Sequence, residues 1–240
     1  MTKMSAVEAR NFWKALVDNA SSLIADAQVL HGTQSYGRAR SLTVLAQEEL
    51  GKALWIYGTF ESAWSAGDDT PRVVTALQEH GRSHTKKYLE TIVFGNELAF
   101  FWGDYSAVES DAGKEEPWDA AWSRRQEQAE AAAVEANRSK QRGFYVDRDG
   151  NGVVLSPTDV EAGTIADDLQ TAAQVIEMLL IRDHSRMKLN AVTPYDSTHE
   201  QQFRLLPISH PEEWAAAFDD AKNGRPLGQP DSNQEKERDA

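Results

Sequence analysis

Apolar residues recur every three or four positions along most of this chain, which is the spacing of one face of an α-helix. From about Ser5 to Leu30 the series Ala6, Ala9, Trp13, Leu16, Val17, Ala20, Ile24 and Ala27 predicts a first long helix, ended by His31-Gly32. A second helix follows and runs to about Trp64. Its Ala39, Leu42, Leu45, Ala46, Leu50, Ala53, Ile56, Tyr57 and Phe60 share one broad face. SAGDDTP then forms a loop in which Thr70 caps a third helix with Pro71 at its first position. That helix carries Val73, Val74, Leu77, Gly81, Tyr88, Ile92, Gly95, Leu98, Ala99 and Trp102 on one side. Long helices joined by short loops predict an all-α, antiparallel helical bundle.

The pattern loosens after that. Residues 104–116 are acidic and small and read as an exposed loop, and the charged, alanine-rich stretch up to about Gln141 has little apolar stripe beyond Trp118, Ala121, Trp122 and Ala129. It reads as a solvated arm or a partner surface. GFYV, a DRDGNG turn and VVL predict a small β-hairpin insertion over 143–155. Ser156-Pro157 then opens another helix, whose core face runs from Ile165 to Met187 and whose last turns hold Arg182, Asp183, His184 and Arg186. One domain thus spans 1–195. After Thr193-Pro194 a C-terminal extension, 196–222, has a short helix from about Glu212 to Ala221, and the polar residues 223–240 are expected to be disordered.

Composition narrows the function. The 240 residues include seven tryptophans and are 40% hydrophobic, enough for one sizeable core. A net charge of −13 argues against broad, sequence-independent binding to nucleic acid, while leaving room for a local basic groove or a basic partner. The lack of cysteine excludes disulfides, thiolate catalysis and thiolate metal sites. No run of about 18 apolar residues occurs and the first residues enter an amphipathic helix without a signal-peptide pattern, so a cytoplasmic protein without membrane contact is expected.

The candidate chemistry starts from Glu49, a carboxylate set within the apolar stripe of the second helix. An unpaired buried acid costs several kcal/mol, so a cation or donor is expected to face it. His84 sits at the centre of the next helical face, with His80 one turn earlier and Lys87 on the border. Gly81 and Gly95 thin that face where a neighbouring helix would approach. The expected site is a Glu49–His84 contact between two helices, flanked by Glu48, Lys52, His80 and Lys87. Its plainer reading is a polar network that fixes helix register, and Glu48 with Lys52 is an ordinary i,i+4 pair. His80 and His84 at i,i+4 could hold a metal with Glu49, yet no HExxH is present and paired Glu-x-x-His motifs are missing; no metal or cofactor is expected.

Tyr36-x-x-Ala39-x-x-Leu42, the run Ala46-Gln47-Glu48-Glu49-Leu50-Gly51-Lys52, His84-x-x-Lys87 and the late RGFYVD segment occur in an order that resembles the AbiV group of abortive-infection proteins, within the HEPN superfamily. The resemblance covers about residues 5–190. It implies a helical bundle that forms a homodimer, acts in bacterial defence against phage and, as in many members of the superfamily, cleaves RNA without a metal; activation by a phage product is expected with it. It also implies an Arg, a polar residue and a following His near the start of a late helix. Arg182-Asp183 begins that pattern, but residues 187–189 are Met, Lys and Leu, and the only other suitable spacing, Arg204 and His210, encloses Pro207.

On this basis the chain is expected to be an RNA-targeting toxin, a metal-independent endoribonuclease. The ribose 2′-hydroxyl would attack, with His84 or His80 as general base, Glu49 orienting it, and Lys52, Lys87 or Arg82 stabilising the phosphorane; Arg182 completes the candidate set. The alternative is a non-catalytic dimeric module that recognises a phage protein or the translation machinery.

Overall fold

Ser5 starts the first helix by a reciprocal cap: its hydroxyl accepts from the Glu8 amide at 3.2 Å, and the Glu8 carboxylate accepts from the Ser5 amide at 2.8 Å. The computed structural model describes residues 3–101, 118–190 and 196–222. Within them helix α1 spans Ala6–Gly32 and α2 spans Tyr36–Ala66, stopped by Gly67 in the left-handed region at φ 67°. The two form a hairpin around Trp13, Tyr57 and Trp64, whose rings lie 5.8–6.1 Å apart. Helix α6, Ile165–Leu189, closes the third side with Leu169, Ile176 and Leu180. The described residues are mostly helical, in eight α-helices with one two-stranded antiparallel sheet.

The single third helix expected from Thr70 onward is two helices. Residues 71–74 are held out of helix because Arg72 and Met4 exchange backbone hydrogen bonds, both 2.9 Å, in an isolated bridge. Helix α3 is only Thr75–His80, and after a turn at Gly81 the Ser83 hydroxyl accepts from the Lys86 amide at 3.3 Å to start α4, His84–Phe101. His80 therefore ends one helix and His84 begins the next, so they do not share a helical face.

Helix α5, Trp118–Phe144, packs against α2 and α4 and is no free arm. Its inner face is made of small residues: Ala129 and Ala133 are buried, and Gly143 touches Gly37 and Ser41 of α2 where any side chain would clash. A strongly charged helix can thus be buried on a stripe too narrow to show as hydrophobic periodicity.

The hairpin is smaller than expected, since Gly143 and Phe144 are still helical. Strands β1, Asp147–Arg148, and β2, Val154–Leu155, pair antiparallel across a turn in which the Asp149 carboxylate accepts from the amides of Asn151 and Val153. Ser156-Pro157 opens only a 3-10 turn, Pro157–Asp159; α6 begins six residues later, beyond Gly163 at φ 45°.

The C-terminal segment holds more structure than one short helix. A 3-10 turn, Thr198–Gln201, leads into α7, Gln202–Ser209, and α8, Pro211–Lys222. Leu205 is fully buried in the core, and Gln170 and Gln174 of α6 donate to the Ser209 carbonyl at 3.2 and 2.9 Å. Trp102, the acidic loop at 104–116, the Thr193-Pro194 break and the tail at 223–240 lie outside the described residues.

Candidate active site around Glu48

The buried acid of α2 is Glu48, one position before the one the stripe singled out. Its side chain is 2% exposed, and it accepts from His84 Nδ1 at 2.6 Å through Oε2. Lys87 Nζ lies 3.4 Å from the same oxygen, and Lys140 Nζ of α5 binds Oε1. Both lysines are buried, at 8% and 4% side-chain exposure, whereas the His84 ring is 49% exposed. Three helices, α2, α4 and α5, thus deliver one carboxylate, two ammonium groups and one imidazole to a single point.

Glu49, by contrast, sits on the flank of α2 and pairs with Lys52 at 2.6 Å, each about one-fifth exposed. The expected Glu49–His84 contact is corrected to Glu48–His84. The apolar stripe containing Glu49 marks the α2 face toward α1, but α2 is buried on a second, small-residue face as well. Gly37, Ser41, Val44, Glu48 and Gly51 form that face, and at Gly51 the backbone of Lys87 approaches so closely that a Cβ would overlap its carbonyl.

The remaining expected site residues are placed as follows. His80 stands at the end of α3, with its ring 6.4 Å from the Trp55 ring and Nε2 3.9 Å from Glu79. Arg82 is exposed in the turn. Arg182 binds Glu61 at 2.9 Å and lies over the Tyr57 ring at 5.3 Å. Glu61 is 13 residues beyond Glu48 on α2, a separation of roughly 20 Å along the axis. The structure brings together His84 and Lys87, pairs Glu49 and Lys52 with each other on the flank of α2, and leaves His80 and Arg182 outside the cluster. Sequence reasoning missed Lys140, whose only signal is a lysine on the Ala129–Ala133–Gly143 stripe, and gave Glu48 only a flanking role.

Late-helix residues serve a different network. Asp183 is buried and binds Arg10 Nη2 at 2.7 Å and Arg186 at 2.8 and 3.0 Å, while Arg10 also forks onto Asp196 at 3.0 and 3.1 Å. Burial would raise the Asp196 carboxyl, but Thr198 and Arg10 outweigh it and hold its pKa down at about 2. Tyr57 is pushed far above its ordinary value by burial, then by the nearby charges of Asp183 and Glu61. The His184 ring lies tilted against that of His199, ring centres 4.1 Å apart, and its pKa is lowered by burial first and then by His199 and Lys188. Arg204 and His210 also part company: the first binds Ser22 and Asp18, the second lies 3.3 Å from Glu177.

Chemically, the Glu48 cluster orients a histidine. With Nδ1 engaged on the carboxylate, Nε2 is the nitrogen left for chemistry at the half-exposed edge. Among the described residues no three His, Asp or Glu side chains converge as a metal site, and no helix is long and apolar enough to cross a membrane. No curated protein and no solved structure matches the chain. A family model, HEPN_AbiV, described as AbiV, matches residues 8–177, a stretch that contains all four members of the cluster and ends before Arg182.

Proposed function

The chain belongs to the AbiV abortive-infection family, with a HEPN domain over residues 8–177, and from that premise we propose that it is an RNA-targeting anti-phage toxin whose cutting centre is the Glu48–His84 pair. The observation that carries this reading is a half-exposed imidazole held at 2.6 Å by a buried carboxylate. In this mechanism His84 Nε2 takes the proton of a ribose 2′-hydroxyl, and O2′ attacks the neighbouring phosphorus. The bond from phosphorus to O5′ breaks, giving a 2′,3′-cyclic phosphate and a 5′-hydroxyl, with the leaving oxygen protonated by the imidazolium or solvent. Lys87, aided by Lys140, offsets the charge that grows on the phosphorane oxygens. Glu48 fixes the tautomer and orientation of the ring; Lys52, paired with Glu49 on the flank of α2, is a candidate contact for the flanking RNA backbone. A homodimer activated by a phage protein is part of the proposal.

A second reading has its own support. Phe144, Tyr145, Val146, Val153 and Val154 are all well exposed around the hairpin, an apolar surface suited to a partner. On that reading the protein is a non-catalytic dimeric module that recognises a phage protein or the translation machinery, and the Glu48 cluster only fixes helix register.

Incubation of the purified protein with cellular RNA in EDTA separates the two. Cleavage that persists without metal, falls at least about 100-fold in His84→Ala and leaves cyclic-phosphate ends supports the nuclease. Intact RNA with the unaltered protein, also after phage proteins are added as activators, rejects it in favour of the module.

A further inference from the structure

The charges in the Glu48 cluster do not balance. Lys87 and Lys140 are both buried and both address one carboxylate. Two further acids on these helices already have cations of their own, Glu49 with Lys52 and Glu130 with Lys86 at 3.9 Å, and Glu90 is turned to the Trp55 indole at 3.0 Å rather than to either buried lysine. The cluster therefore carries a formal charge of +1 with a neutral His84 and +2 with an imidazolium. An uncompensated buried ammonium is costly, which favours an anion that completes the set.

The lysines also have no way to retreat. Gly51 lets the Lys87 carbonyl press against α2, the Ser41 hydroxyl donates to the Lys140 carbonyl at 2.9 Å, and Gly143 allows no gap between α5 and α2. His84 is the exposed member, so the cluster opens to solvent on its side. We propose that Lys87, Lys140 and His84 form a preorganised oxyanion site for a phosphate group, which enters beside the imidazole and supplies the missing negative charge. Two compact ammonium groups, joined by Nε2–H when His84 is an imidazolium, are separate point donors, which suit the spread oxygens of phosphate better than a single planar carboxylate. For the carrier of that phosphate, RNA, the inference rests on the ribonuclease reading; for the site itself it rests on the charge count.

The test uses the full-length protein titrated with inorganic phosphate against chloride at matched ionic strength, following the His84 ring resonances by NMR together with the thermal midpoint. Phosphate is expected to shift the His84 signals saturably and raise the midpoint, while chloride does neither. Lys140→Met and Lys87→Met should each weaken phosphate by about tenfold or more. Glu48→Gln gives an opposite readout: it removes the competing negative charge, so phosphate should bind several-fold tighter and raise the lowered thermal midpoint of this variant by more than that of the unaltered protein, which a purely structural cluster does not predict. An oligoribonucleotide with a 5′-phosphate, compared with the same oligomer bearing hydroxyl ends, decides whether a terminal or an internal phosphate is held. Phosphate without effect on His84, or with equal effect in Glu48→Gln, overturns the site. Phosphate binding by a protein that cuts no RNA keeps the site and removes the ribonuclease reading; RNA cleavage by a protein blind to phosphate does the reverse.

Discussion

Glu48 and Glu49 are neighbours in sequence and opposites in energetics. Glu48→Ala strips two buried ammonium groups of their partner and is expected to destabilise the fold by about 3–5 kcal/mol, whereas Glu49→Ala breaks a partly exposed i,i+3 pair and should cost under about 1 kcal/mol. Urea denaturation of the two variants checks the ordering, and equal effects would return Glu49 to the site. The one-residue error has a simple origin: a step along a helix turns the side chain by about 100°, so a helix buried on two faces gives a periodicity that names a sector rather than a residue. His84 and Lys87 were legible because they fall on the face of α4 that meets α2. Lys140 was not, since nothing local ties a lysine to an acid 92 residues earlier. Asp196 supplies a pH test. Its folded pKa is depressed below the unfolded value of about 3.9, so its contribution is present above that value and is lost as pH falls from about 4 toward 2. Asp196→Asn should lower the thermal midpoint at pH 7, and the gap from the unaltered protein should close across that acid range.

Glycines set the distances between elements. At Gly51 an added methyl meets the Lys87 carbonyl, so Gly51→Ala should destabilise by about 1–3 kcal/mol and pull α4 off α2. Gly58, about two turns further along α2, has open space around its Cβ position, and Gly58→Ala should stabilise by about 0.5–1 kcal/mol. Thermal unfolding of the pair separates close approach from helix propensity. The elements that the sequence misplaced share one cause: their decisive contacts come from elsewhere in the chain. Residues 71–74 look helical by pattern but are drawn out by Met4, and the charged α5 looks unsupported until α2 presents its own small residues to it. Helices α1 and α2 were legible nearly to their ends because their stripes are wide and their stops, His31-Gly32 and Gly67, are local.

At the level of the molecule, the segment after residue 195 completes the core. Leu205 fills a gap against α1 and α6, and Leu205→Ala is expected to cost about 2–5 kcal/mol, a loss measurable by denaturant midpoint. An eight-residue helix with Pro207 inside it has too few turns to announce itself by periodicity, so the sequence showed only its successor. The family match ends at residue 177, yet Arg10 and Asp196 tie the region beyond it to the first helix.

Helix α5 is seated on alanine methyls and glycine, a thin seam beside the aromatic packing of α1 and α2, and yet it brings the lysine that Glu48 requires. Warming or mild urea should therefore loosen this seam first, and hydrogen exchange should find the α5 amides opening well before those of α1. The protein would then fall silent at a temperature where most of it is still folded, its working ceiling set by its weakest joint.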